Sequence, residues 1–147
     1  MNLEEGKTKL QELLEQPRNA YEKHLAEVLN ALPPEMFEQT VNLELNQING
    51  AEACDYVLQE FERIDRYPNP QDKMLSRDEI TEALRFAPSS RQKAALLFIW
   101  MNFESIKEFS TDHAEHDKIF DNSLSIDDFL LFKKHCLETL SSDLSST

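Results

Sequence analysis

Apolar residues recur along this chain at three- and four-residue intervals, the spacing that gathers side chains on one face of an α-helix. Leu3, Leu10, Leu13 and Leu14 form a sparse first stripe. Pro17 suits the first turn of a second helix, whose Tyr21, Leu25, Val28, Leu29 and Leu32 share a face and which Pro33-Pro34 ends. Phe37, Val41, Leu45 and Ile48 mark a third helix, stopped by the turn pair Asn49-Gly50. Cys54, Val57, Leu58, Phe61 and Ile64 line a fourth, and Ile80, Ala83 and Leu84 a fifth. Beyond a linker at Pro88-Ser89-Ser90, the stretch from about Arg91 to Phe109 carries Leu97, Phe98, Trp100, Met101, Phe103, Ile106 and Phe109. That helix is apolar on every side, so it is expected at the centre of the core, with an exposed partner-binding face as the sharper alternative. Phe129, Phe132 and Cys136 line a last helix, and the Ser-rich tail over residues 141–147 is expected to fray.

Scarce glycine, with 2 in 147 residues, and few β-branched runs favour helix over sheet, so the expected fold class is all-α. The longest strongly apolar run, residues 94–101, is far short of a membrane span. The Met1-Asn2-Leu3-Glu4-Glu5 start lacks the basic and apolar segments of a cleaved signal peptide. Cys54 and Cys136 sit in apolar helix patterns, which suits reduced, core-facing thiols and a cytoplasmic setting, export without a cleaved peptide remaining open. A net charge of −13 disfavours nonspecific nucleic-acid and anionic-membrane binding and suits cations or a protein partner with a basic or apolar surface.

One local pattern occurs twice. After an apolar helix, oxygen-bearing residues lead to Leu75-Ser76-Arg77-Asp78-Glu79 in one place and to Leu124-Ser125-Ile126-Asp127-Asp128 in the other. In each, an apolar residue precedes Ser, and an acid follows the Ser by three residues. A calcium loop has this second half, because the hard ion takes a main-chain carbonyl, then a polar side chain, then a closing carboxylate. Phe61 and Ile64 precede the first loop, with Ile80, Ala83 and Leu84 after it; Ile106 and Phe109 precede the second, with Phe129, Phe132 and Cys136 after it. On these residues the chain resembles the EF-hand family, as a paired and degenerate form over about residues 51–140.

The resemblance implies an EF-hand-like helix-loop-helix pair, with residues 1–50 as an N-terminal helical extension packed on it and 141–147 as a flexible tail. It implies a small acidic binding or regulatory protein with weak Ca²⁺ or Mg²⁺ affinity. The implied ligands are Asp65, Asp72, Ser76, Glu79 and the Met74 main-chain oxygen in the first loop. In the second they are Asp121, Ser125, Asp128 and the Ser123 main-chain oxygen. It also implies that the loops join at Leu75 and Leu124, and that Phe61, Ile64, Phe109 and Phe129 share one core. The chain departs from the family pattern at the sixth loop position, where Lys73 and Asn122 replace the usual Gly, and in a first loop about three residues long of the norm, containing Pro68 and Pro70.

Ser76 to Glu79 also reads as a helix capping box, and Ser125 to Asp128 as its acidic variant, neither of which needs a metal. The alternative function is therefore a metal-independent acidic adaptor, chaperone, toxin-neutralising protein or nucleic-acid mimic. Asp112-His113-Ala114-Glu115-His116-Asp117 is the other dense ligand cluster, and a solvated acidic loop explains it better than a zinc site. No nucleophile triad, Gly-rich phosphate loop or zinc-protease motif occurs, so no enzymatic activity and no catalytic residue are expected.

Overall fold

The computed structural model describes residues 10–65, 74–108 and 123–145. Helix α1 covers residues 10–15, followed by α2 (Ala20–Asn30) and α3 (Pro34–Glu38), which runs into a π-helical segment (Gln39–Glu44) and α4 (Leu45–Gln47). Then come α5 (Gly50–Gln59), α6 (Phe61–Ile64), strand β1 (Leu75–Ser76), α7 (Arg77–Phe86), α8 (Ser90–Met101), α9 (Phe103–Glu108), β2 (Ser123–Leu124) and α10 (Ile126–Ser145). The architecture is helical, with one two-residue antiparallel ladder among the described residues. No helix among them is long and apolar enough to cross a membrane.

Side-chain caps set several helix starts. Asn19, Asn49 and Ser89 each accept a bond from the N–H three residues on, which satisfies a donor the helix cannot pair. Asn19 also explains why α2 starts at Ala20 and excludes Pro17, contrary to the expectation from proline alone. Its side-chain oxygen holds the Glu22 N–H at 2.9 Å while Glu22 reaches back to the Arg18 N–H at 3.0 Å. Asn49-Gly50 does end the preceding helical stretch, yet the pair also opens the next one. Gly50 is required there by close approach, because a Cβ would run into Cys136 Sγ and the Phe132 ring of α10.

Two expected single helices are broken. The stretch after Pro88 bends at Asn102, whose amide donates to the Phe98 carbonyl at 2.9 Å, separating α8 from α9. The helix entering the first loop bends at Glu60, separating α5 from α6. Phe37, Val41 and Leu45 follow at strict four-residue steps, and the widened i→i+5 turns of the π-helical segment accommodate that spacing. Helix α10 continues through Ser145, beyond the point at which a frayed tail is expected from sequence.

One apolar core runs through the whole unit. It contains Leu25, Val28 and Leu29 of the N-terminal third together with Val57, Phe61, Ile64, Ile80, Leu84, Leu97, Ile106, Phe129 and Phe132. Helix α8 lies at its centre, against α5, α7 and the π-helical segment, so core packing is the role of the most apolar stretch. Phe61, Ile64 and Phe129 share this core as expected, with the Phe61 and Phe129 rings edge to face at 6.3 Å. Phe109 lies outside the described residues. Cys54 is buried and Cys136 half-buried, both are free thiols, and burial pushes the Cys54 thiol up to about 12.

Polar contacts fasten the helices at the rim of this core. The Arg77 guanidinium lies 5.3, 4.9 and 4.4 Å from the ring centres of Tyr21, Trp100 and Phe103 and bonds Glu104, tying α2, α8 and α9 to the start of α7. Lys93 reaches back to the Leu84 and Arg85 carbonyls at 2.9 and 3.2 Å, closing the C-terminus of α7. His24 of α2 stands between Asp78 (2.9 Å from Nδ1) and Glu82 (2.7 Å from Nε2), with Arg85 behind Glu82 at 3.0 Å. Only an imidazolium donates through both nitrogens.

Phe129→Ala is expected to lower unfolding free energy by about 3–5 kcal/mol in urea denaturation, the range for emptying a buried aromatic site. For His24, burial alone pulls the pKa down, but hydrogen bonds and charge from Asp78 and Glu82 outweigh it and raise it above 6.5. Its contribution is therefore complete below about pH 6.5 and lost as pH rises through the folded-state value. In thermal melts, His24→Gln is expected to lose more stability at about pH 6 than at about pH 9.

Candidate metal centre

The first loop closes on two buried carboxylates. Asp65 caps α6, with its N–H bonded to the Phe61 carbonyl at 2.9 Å and no exposed surface. Glu79 is the third residue of α7 and is 1% exposed. Ser76 precedes that helix, accepts the Glu79 N–H through Oγ at 3.2 Å, and donates its own N–H to Glu79 Oε1 at 2.8 Å. This is the reciprocal capping box expected from the sequence.

The box occupies only one oxygen of Glu79. Oε2 is buried without a hydrogen-bond donor. Burial raises the Glu79 pKa to about 7, aided by the charge of nearby Asp65 and opposed by the bonds from Ser76. Two carboxylates in contact and out of water cannot both ionise cheaply. A proton on Glu79, or a cation, relieves that cost.

In the second loop, the Ser125 N–H bonds Asp128 Oδ2 at 2.9 Å and the Asp128 N–H approaches Ser125 Oγ at 3.3 Å. Asp128 is also buried, but its shorter side chain is engaged in this cap. Strands β1 and β2 join the loops, pairing Leu75 with Leu124 and Ser76 with Ser123. Both leucines are fully buried. The expected meeting of the loops at these residues is thus observed.

Of the residues expected as ligands, the structure brings together Asp65, Glu79 and Ser76, with Met74 just before the ladder and Ser123 opposite Ser76. Ser125 and Asp128 pair with each other. Asp72 and Asp121 lie outside the described residues, as do Lys73, Asn122, Pro68, Pro70 and the cluster from Asp112 to Asp117. Among the described residues no group of three or more His, Cys, Asp or Glu side chains converges as a metal cage. The buried, donorless Glu79 oxygen beside Asp65 is nevertheless the chemistry that fits a hard cation.

Sequence reasoning passed over the bridging histidine. Its available signal is Asp78 and Glu82, four residues apart on one helix face, a spacing at which a single base can bind both. Comparison of the chain with protein-family models, curated proteins and solved structures gave no match.

The Glu79 environment sets a pH dependence. The folded chain holds this proton to about 7, whereas an ordinary Glu loses it near 4.5, so stability from this group falls as pH rises across that interval. Glu79→Gln keeps a capping acceptor but cannot ionise. In metal-free buffer, wild type is expected to lose stability relative to Glu79→Gln between about pH 5 and about pH 8, read from paired thermal melts.

Proposed function

We propose that the protein is a small acidic binding or regulatory module, built on an EF-hand-like pair of helix-loop-helix units whose first loop takes a divalent cation, Ca²⁺ or Mg²⁺. The observation carrying this reading is the buried Asp65–Glu79 contact with its donorless oxygen. Those carboxylates stand at the first and closing ligand positions of the loop the sequence resembles. A bound cation would replace the Glu79 proton with charge compensation. Ser76 and the Met74 carbonyl are the adjacent oxygens, and Asp72 is the remaining first-loop candidate.

The ladder between Leu75 and Leu124 supports a paired arrangement, in which the state of one loop is felt by the other. Charge supports the same class of function: at −13 the chain attracts cations and basic surfaces. Its partner would be a protein with a basic or apolar surface.

A second reading, a metal-independent acidic adaptor, is favoured by one specific observation. Both closing acids already serve capping boxes, which stabilise helix starts with no ion. The second loop is assigned to that role, because Asp128 is shorter than the usual closing Glu and its carboxylate is engaged in the cap.

Calorimetric Ca²⁺ titration separates the readings. Wild type is expected to bind, and Glu79→Gln to bind at least about tenfold more weakly, the equivalent of about 1.4 kcal/mol. Glu82 is an unsuitable control because it bonds His24 and Arg85; exposed Glu62 is the better one, and Glu62→Gln is expected to bind as wild type. No heat in wild type, together with loss of stability in Ser76→Ala, would assign the loop to capping alone.

A further inference from the structure

Helix α10 has two apolar faces, and among the described residues only one of them packs into the core. Phe129 and Phe132 are buried in the core and Cys136 packs against it. Ile126, Leu130 and Leu137 lie on a different face and are 45, 48 and 48% exposed. With Leu131, they make up four of the six large apolar side chains exposed among the described residues. Exposed apolar surface is therefore concentrated on this one helix.

The exposed face has the spacing of a helix-pairing seam. Ile126, Leu130, Lys133 and Leu137 follow at steps of four, three and four, and the sequence continues the alternation at Leu140 and Leu144. The helix extends through Ser145, so its backbone spans the whole series. Alternating steps of three and four keep one edge of a helix facing a partner helix. The charged member of the series, Lys133, is ion-paired to Asp55 of α5 in its own chain.

Charges beside the seam select the occupant. Asp127 and Lys134 are exposed, seven residues apart on the same flank, and form no ion pair among the described residues. When two copies of α10 run antiparallel, like flanks meet, and Asp127 of each copy falls beside Lys134 of the other. The twofold operation makes that contact twice. A parallel pair would set this flank against the face bearing Phe129 and Cys136, which the core already occupies. The geometry points to a second copy of this chain, docked antiparallel along α10 through Ile126, Leu130 and Leu137 and registered by reciprocal Asp127–Lys134 pairs.

Net charge of −13 on each chain opposes self-association, but the repulsion is spread over the surface and screened beyond about 8 Å at physiological salt. At the contact itself Lys133 is balanced by Asp55 and Lys134 by Asp127 of the other copy, so these groups add no net charge there. Docking along α10 is independent of cation binding, since neither Asp65 nor Glu79 takes part.

Sedimentation equilibrium of the full chain at physiological salt tests it. Wild type is expected to show a concentration-dependent monomer–dimer equilibrium. Leu130→Asp combined with Leu137→Asp is expected to be monomeric with an unchanged circular dichroism spectrum, since both side chains are outside the core. Asp127→Lys and Lys134→Asp are each expected to weaken the dimer about tenfold, a change of about 1.4 kcal/mol, and the double exchange to restore it. A wild type monomeric at every concentration would overturn the proposal. So would a dimer indifferent to the leucine changes, or a double exchange no tighter than the single variants. Wild-type monomer with a different protein bound on the stripe would give the face to a heterologous partner instead.

Discussion

The fold depends on one short backbone contact. Where Leu75 meets Leu124, two segments separated in sequence by α7, α8 and α9 become a single unit, and the two leucine side chains disappear into the core. The ladder is two residues long among the described residues. The N–H groups of Ser76, the last residue of β1, and of Ser125, just past β2, are committed to the carboxylates of Glu79 and Asp128. Each strand therefore passes directly into a helix cap, and the direction in which α7 and α10 leave the ladder is set by the same hydrogen bonds that end it. Helices α5 and α10 then pack closely enough to require glycine at position 50.

That arrangement also explains why the candidate centre is buried. Glu79 must stand at the third position of α7 to cap it, and the ladder holds this turn against the core. Its second oxygen is thereby carried out of water, in a carboxyl that feels the charge of Asp65 at the end of α6. A capping residue and a cation ligand are compatible descriptions of one side chain, each using a different oxygen. Asp128, one methylene shorter, is engaged in its cap through Oδ2.

The repeated Leu-Ser-x-x-acid pattern made this junction legible in the sequence, because capping, turning and oxygen placement are local properties. Helix faces were legible for the same reason: Leu25, Val57, Ile80 and Phe129 obey a single period and are all buried. Breaks within helices were less so. Nothing apolar distinguishes Asn102 or Glu60, and each interrupts a helix through backbone geometry that the hydrophobic period does not register. Pro17 misled because a proline preference is weaker than the hydrogen bonds of Asn19 and Glu22. The contacts of Arg77 with Tyr21, Trp100 and Phe103, and those of His24 with Asp78 and Glu82, join residues remote in sequence. Their partners emerge only after the helices have packed.

A double-mutant cycle on Leu75→Ala and Leu124→Ala, followed by urea denaturation, tests the central claim most directly. Side chains that meet across the ladder lose their mutual contact in either single variant, so the two losses overlap. The account predicts a coupling energy of at least about 1 kcal/mol, within the range for contacting residues. Losses that add to within about 0.3–0.5 kcal/mol, as for independent sites, would contradict it and separate the two loops.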